Sequence, residues 1–354
     1  MSLAAPRLRA AVLTAVISAA VTVTVLPGAP AHAAAPTGRY VALGDSYTSG
    51  PLISDQVDLN CVRSNRNYPS LVARAIGSAA FADVSCGGAT TGDILNAGKG
   101  TLGLPVPAQI SAVTAATALV TIGIGGNDVG FSGIVSACAQ DGVGDPFGTP
   151  CRDRYTAGGT DQLQARIAAA APKVAAVVQA VRAAAPNARI VVVGYPAIVP
   201  DSGYGCWPVV PFAFGDVPYL RTVAKSLNSM LARTAAANGA QYADVYTPSI
   251  GHDVCRSKSV RWVEGLVPEN TAAPFHPNAA GEQGMATAVT ARLAACPPDL
   301  PRQGDPQRRP VAPPAGGIGR VVIVVVSGAR RMRIIAPAAP CRFVARNRTT
   351  EGRP

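Results

Sequence analysis

Ser46 stands in Gly44-Asp45-Ser46-Tyr47-Thr48-Ser49-Gly50, just beyond the apolar run Tyr40-Val41-Ala42-Leu43. A serine hydroxyl is a weak nucleophile at neutral pH. It needs a base within hydrogen-bond reach and donors that can hold an oxyanion. Gly-Asp-Ser alone is common in ordinary turns, and the segment is not the Gly-x-Ser-x-Gly elbow of α/β-hydrolases. The candidate bases are few, because only His252 and His276 follow His32. His276 lies in Phe275-His276-Pro277-Asn278, directly before a helical stretch, and Pro and Asn suit a helix start. His252, in Gly251-His252-Asp253, reads as a loop residue close to a cysteine. Two glycine-bearing segments could supply oxyanion donors: Gly87-Gly88-Ala89-Thr90-Thr91 and Gly123-Ile124-Gly125-Gly126-Asn127-Asp128. Glycine lets a backbone N–H approach a substrate closely, and an Asn amide can donate from its side chain. Taken singly, each is also a plain glycine turn. Neither is a phosphate loop, since Gly-Lys-Ser/Thr is absent and the spacing misses Gly-x-Gly-x-x-Gly.

These residues must be held by regular elements. Short apolar runs at 40–43, 82–85, 118–122, 189–193 and 241–245 read as buried strands. They alternate with helical stretches at 68–76, 161–184, 217–238 and 278–295. In the 161–184 stretch Leu163, Ile167, Val174, Val177, Val178 and Val181 recur at helical spacing. Strand–helix alternation implies parallel pairing and a three-layer α/β/α sandwich. In such sheets ligands sit at the carboxyl ends of the strands, which is where Ser46, Gly88 and Asn127 fall.

The formal charge of +11 dissolves once it is located. Arg7 and Arg9 lie at the N-terminus, and eleven arginines face only three carboxylates after Cys296, so residues 34–296 are nearly neutral. A nucleic-acid groove is not supported. Residues 1–33 read as a secretory signal: a basic start, an apolar stretch from Ala10 to Leu26, then Ala31-His32-Ala33 as a cleavage pattern. An uncleaved membrane anchor is the rival, but the run is short for a span of ~20 residues and Pro27-Gly28-Ala29-Pro30 follows it. The expected divisions are thus a signal at 1–33, a catalytic domain at 34–296, and a Pro- and Arg-rich disordered tail at 297–354. Eight cysteines in an exported chain suggest disulfides, and Cys138 and Cys151 are neighbours across a Gly/Pro-rich loop. Cys-x-x-Cys is absent and histidines are scarce, so no metal site is expected.

Together the motifs resemble the SGNH (or GDSL) hydrolase family, in particular its secreted actinobacterial lipase/esterase branch. Gly44-Asp45-Ser46 is similar to the first family block, Gly88 in Cys86-Gly87-Gly88-Ala89-Thr90 to the second, Gly125-Gly126-Asn127-Asp128 to the third, and Phe275-His276-Pro277 to the fifth. They appear in family order between residues 40 and 278. The resemblance implies a flavodoxin-like fold with a mainly parallel five-stranded sheet. It implies Ser46 as nucleophile, His276 as general base, and an oxyanion hole of the Ser46 and Gly88 N–H groups with the Asn127 side chain. It further implies disulfides Cys61–Cys86, Cys138–Cys151 and Cys206–Cys255, leaving Cys296 and Cys341 over. One departure matters. Many relatives carry Asp three residues before the His, whereas position 273 here is Ala. A Ser–His dyad steadied by the main-chain oxygen of Ala273 or Pro274 is expected, with a remote Asp such as Asp253 as the alternative. Asp45 and Asp128 are expected to brace loops.

The implied activity is hydrolysis of carboxylic esters, with an acyl lipid as substrate and phospholipids inside that class. Leu52, Ile53, Phe131, Ile134 and Val135 could line an acyl groove or simply pack the core. The alternatives are deacetylation of a polysaccharide, for which Trp207 and Trp262 are thin support, and an inactive binding module on the same fold. No cofactor is implied. The expected partner is a small-molecule or lipid ester, with no nucleic acid and no membrane span after signal removal. A secreted monomer is expected.

Overall fold

Five apolar runs pair side by side in the computed structural model, which describes residues 38–78 and 80–295. They are β1 (Arg39–Gly44), β2 (Phe81–Asp83), β3 (Thr117–Gly123), β4 (Arg189–Val193) and β5 (Gln241–Ala243). All neighbours run parallel, in the order β2-β1-β3-β4-β5. This is the doubly wound arrangement whose direction of growth reverses at β1, opening a crevice between the carboxyl ends of β1 and β3. The expected signal at 1–33, the tail at 297–354, and Cys296 and Cys341 lie outside the described residues.

Strand side chains alternate between two helical layers, making the sandwich. Tyr40, Ala42, Leu119, Val191 and Val193 pack with Tyr68 and Val72 of the helix Tyr68–Ala75 and with Met285 and Val289 of the helix Ala279–Ala294. On the other face Val41, Leu43, Val120, Ile122, Ile190 and Val192 meet the helices Gln162–Ala184 and Asp216–Ala237. The stripe Leu163, Ile167, Val174, Val177, Val178, Val181 is the buried side of the longer helix. Each such fully buried aliphatic side chain contributes about 1.5–3 kcal/mol relative to exposure. Side-chain caps start the helices. Asp161 accepts from Leu163 N at 2.9 Å, and Asn278 accepts from Ala280 N at 3.0 Å. Caps of this kind are worth about 1 kcal/mol each.

Two strands stop earlier than their apolar patterns suggest, and each time an aspartate is the reason. Asp83 Oδ1 takes the Ser85 N–H at 3.0 Å, turning the chain after β2. Asp244 Oδ1 takes the Tyr246 N–H at 2.9 Å and starts the short helix Tyr246–Ser249 after β5. The helices Phe131–Gly144 and Pro150–Thr156 had no clear periodic signal. They are stitched together by Cys138–Cys151. Cys206–Cys255 joins the loop before the helix Asp216–Ala237 to the segment after β5.

Cys61–Cys86 ties the loop beyond β1 to the end of the segment that follows β2, and the Gly87 N–H donates to Cys61 O at 2.9 Å. Replacing both Cys61 and Cys86 by Ala should lower stability by roughly 2–4 kcal/mol, read from denaturant titration as a lower midpoint with a somewhat steeper slope, because the unlinked unfolded chain exposes more surface.

Candidate active site

Ser46 follows β1 by two residues and opens a single helical turn, Ser46–Ser49. Asp45 caps that turn: its Oδ1 accepts the Tyr47 N–H at 2.9 Å. The backbone closes on Gly50 in the left-handed region, φ 71°. Ser46 is the half-exposed residue of the turn, and Asp45, Tyr47, Thr48 and Ser49 are buried. The fold therefore aims one hydroxyl outward and packs everything around it.

That hydroxyl meets His276. Ser46 Oγ lies 2.8 Å from His276 Nε2, across 230 residues of sequence. His276 Nδ1 lies 2.7 Å from the carbonyl oxygen of Pro274. A carbonyl only accepts, so Nδ1 carries the proton and Nε2 faces the serine unprotonated. Of the two main-chain oxygens expected near the ring, Pro274 O meets the imidazole, and Ala273 O accepts the His276 N–H at 3.1 Å. Asp253, the aspartate of the alternative triad, has other partners: it accepts from Cys255 N at 3.0 Å and sits 3.6 Å from Arg256 Nε. Burial holds the His276 imidazole below the usual histidine value, opposed in part by the Pro274 carbonyl. His252 is remote from this chemistry. It stacks on Trp262 at 4.5 Å, and its Nδ1 meets Val260 O at 2.6 Å.

The loop that carries His276 is unusually constrained. Phe275 has φ 59°, a region that bulky side chains rarely adopt. It is held there from both sides. Its N–H donates to Glu264 O at 3.1 Å, and its carbonyl accepts the Tyr47 hydroxyl at 2.5 Å. Glu264 is fully buried, and its carboxylate accepts from Asn278 Nδ2 at 2.7 Å, Asn270 Nδ2 at 2.8 Å and Glu269 N at 2.9 Å. These donors outweigh the effect of burial and hold its carboxyl below the usual range. The Tyr47 ring lies 5.0 Å from the imidazole. Tyr47 and Glu264 escaped the sequence reading, because nothing local pairs them with Phe275.

The glycine-bearing segments reach the same place. Val84 N and Cys86 N donate to Ala42 O and Gly44 O, both at 3.0 Å, carrying the β2 segment up beside the serine turn. Gly88 is exposed with φ 79°, and a β-carbon there would meet nothing within 4 Å. Asn127 heads the segment after β3, and its Nδ2 donates one hydrogen to Ala89 O at 2.9 Å. An amide has two such hydrogens, and among the described residues the second has no protein acceptor. Among the described residues, neither Ser46 N nor Gly88 N donates to a protein acceptor. Asp128 takes Thr91 N at 3.0 Å and Thr91 Oγ1 at 2.6 Å, locking the two glycine segments together. Asp45 accepts the Tyr195 hydroxyl on Oδ2. Its burial pushes the carboxyl up to about 7.

Beside the serine opens an apolar cleft lined by Tyr47, Phe131, Ile134, Val135, Leu220 and Leu227, among others. Phe131, Ile134 and Val135 were expected near the site; Leu52 is instead exposed and Ile53 buried in the loop after the serine turn.

The family model described as GDSL-like Lipase/Acylhydrolase matches residues 42–283. Lipase 2 of Streptomyces coelicolor is 41% identical over 285 residues, covering 78% of this chain and 94% of the relative. Lipase 1 of the same organism is 33% identical over 263 residues, 72% of this chain and 87% of the relative. Among solved structures, phospholipase A1 from Streptomyces albidoflavus superposes with a TM-score of 0.60 at 30% identity, over 73% of this chain and 100% of the other. An extracellular lipase from Streptomyces rimosus gives 0.59 at 28%, again over 73% and 100%.

Tyr47→Phe should unpair the buried Phe275 carbonyl and destabilise the protein by about 1–3 kcal/mol in denaturant titration. With the loop released, the His276 titration followed by NMR should move up toward the ordinary value of 6.5.

Proposed function

The chain belongs to the GDSL-like lipase/acylhydrolase family and is a lipase/esterase of it, and we propose that it cleaves acyl-lipid esters through an acyl-enzyme on Ser46 with His276 as general base. The observation that carries this reading is the 2.8 Å contact between Ser46 Oγ and His276 Nε2, with Nδ1 engaged by Pro274 O.

In this reading Ser46 Oγ attacks the ester carbonyl carbon while its proton passes to Nε2. The carbonyl oxygen, now an anion, is received by Ser46 N–H, Gly88 N–H and Asn127 Nδ2. Collapse breaks the bond to the alcohol oxygen, which leaves with the proton from Nε2. Water then attacks the acyl-enzyme, His276 again takes the proton, and the carboxylic acid departs as Ser46 Oγ is reprotonated. The apolar cleft beside Ser46 supports an acyl chain as the group presented to the serine. The phospholipase A1 relative makes phospholipids a substrate to try. Three disulfides and the extracellular lipase relative support action outside the cell, with residues 1–33 as the export signal, 34–296 as the catalytic unit and 297–354 as an appended tail.

A panel of p-nitrophenyl esters of rising chain length, with phosphatidylcholine vesicles beside it, tests the substrate. Turnover of medium and long chains is expected; activity on acetate alone, with release of acetate from xylan, would refute the lipid reading. Ser46→Ala should abolish both turnover and labelling by a fluorophosphonate probe. Asn127→Ala should lower kcat by about 10²–10³-fold. Asp253→Asn should leave kcat per active site within about twofold, whereas a loss of about 10³-fold or more would restore a triad.

Catalysis needs the neutral imidazole, and burial disfavours the charged one. The acid limb of kcat/KM should therefore have its midpoint below 6.5, with full activity above it. A midpoint above that value would count against His276 as the base.

A further inference from the structure

Tyr195 has no place in the family motifs, yet it touches both halves of the proposed centre. It follows β4, and its backbone is clamped: the Tyr195 N–H donates to Asn228 Oδ1 at 2.9 Å, and Asn228 Nδ2 donates to Tyr195 O at 3.1 Å. Tyr242 Oη steadies that clamp by donating to Asn228 Oδ1 at 2.8 Å. From this anchor the ring reaches across the end of β3, the strand between β4 and β1.

The hydroxyl's hydrogen bonds are dictated by its partners. The Gly126 N–H can only donate, and it does so to Tyr195 Oη at 2.9 Å. The single phenolic proton is then free for Asp45 Oδ2. Asp45 passes the connection to the serine turn through the Tyr47 N–H. Gly126 precedes Asn127 and Asp45 precedes Ser46, so one oxygen atom bridges the two turns. The bridge is dry: Asp45 is 1% exposed and Tyr195 6%. Its packing is tight as well, since a β-carbon on Gly126 would come within 3.2 Å of the phenol carbon and oxygen. The ring also packs edge-on against Tyr47 at 5.2 Å.

The Asn127 turn has its other ties to the Gly88 segment, through Asn127–Ala89 and Asp128–Thr91. Gly88 and Asn127 are thus tied to each other. The strand ends beneath them are tied to the serine turn by Cys86 N to Gly44 O and Asp45 N to Gly123 O, both at 3.0 Å. Beyond those strand ends the Tyr195 hydroxyl joins the Asn127 turn to the serine turn. Resting on the roles proposed above for Ser46 and Asn127, we propose that the Tyr195 hydroxyl is a positioning group for ester hydrolysis, holding the turn that carries Asn127 in register with the turn that carries Ser46. It acts through Asn127 and touches no reacting atom.

The test is a double-mutant cycle on p-nitrophenyl butyrate, with kcat and KM expressed per site titrated by a fluorophosphonate. Tyr195→Phe keeps the ring and deletes only the bridge. It should lower kcat by about 10–100-fold, the scale of a misplacement of an ångström or less, with KM within about twofold. In an Asn127→Ala background the same change should lower kcat by less than about threefold, because the donor it positions is gone. An equal factor in both backgrounds would overturn the proposal. So would a raised KM at unchanged kcat, which would make Tyr195 only a wall of the cleft. Should Tyr195→Phe not fold, Gly126→Ala keeps the hydroxyl and displaces the ring by a few tenths of an ångström. A loss of kcat absent in the Asn127→Ala background is again expected, and wild-type kcat would overturn the proposal. If Ser46→Ala retains turnover and label, the reading of the active site itself fails, whatever the Tyr195 variants do.

Discussion

The serine turn exists because Gly44 and Gly123 end adjacent parallel strands in register with each other. The chain after Gly44 must turn sharply back over the sheet, and it does so by laying Thr48 across both strand ends. A β-carbon on either glycine would overlap the Thr48 hydroxyl. With both positions bare, Thr48 Oγ1 donates to Gly123 O at 3.3 Å, and Asp45 N reaches the same carbonyl at 3.0 Å. The last peptide of β1 is also gripped by Gln109, whose amide accepts from Gly44 N at 2.8 Å and donates to Gly44 O at 2.9 Å. An alanine at either glycine would push the turn outward and break the alignment of every group above it. The orientation of Ser46 is thus a backbone property, set below the residue itself.

From that base the arrangement follows the topology. Reversal of strand order at β1 leaves the carboxyl ends of β1 and β3 uncovered by a crossover, and the β2 segment rises beside them. Ser46, Gly88 and Asn127 come from three neighbouring strand ends and need little further adjustment. His276 needs more. It arrives from beyond β5, so its loop is held by one contact that reaches back over most of the chain, Tyr47 to Phe275, and by the carboxylate of Glu264, which binds Asn270 and Asn278 within the loop itself.

This division explains what could be read from the sequence. Strands β1, β3 and β4 are apolar runs that end at or next to glycine, and their ends mark where chemistry can sit. The parallel layered sheet and the position of Ser46, Gly88 and Asn127 beyond strand ends were therefore legible, whereas the order of the strands was not. Strand ends were less so, because Asp83 and Asp244 terminate their strands by side-chain hydrogen bonds that hydrophobic patterning does not register. Ala273 was informative by what it lacks, directing attention to a main-chain acceptor for the imidazole. Tyr195, Glu264 and the hydroxyl of Tyr47 were illegible for one shared reason. Each is a polar group buried by the fold, and its partner lies outside its own segment or, for Glu264, in an irregular loop without periodicity. The left-handed conformation of Phe275 is hidden for the same cause, since a phenylalanine in sequence gives no hint that its neighbours will force φ positive.

A base oriented by a carbonyl works under different electrostatics from one oriented by a carboxylate. A carboxylate beside Nδ1 would raise the imidazole pKa and favour the imidazolium formed as the serine proton arrives. Pro274 O supplies only a dipole, and burial works against the charge, so the balance at His276 tips toward the neutral ring. The advantage is a base that remains unprotonated into mildly acidic surroundings. The disadvantage is an imidazolium that must find other support at the moment it forms. The Tyr47 ring, 5.0 Å from the imidazole, is placed to give some of it, because an aromatic face attracts a nearby cation. Tyr47 would then serve the base twice, through its ring and through the hydroxyl that holds Phe275 in its strained conformation. The buried carboxylate of Glu264 cannot take over the part of a third member, since its oxygens are committed to the loop's own donors. With His276 as the proposed base, the loop's hydrogen bonds and the carbonyl at Nδ1 are linked: the carboxylate of Glu264 serves to fix where His276 points, and orientation would replace charge as the way the base is readied.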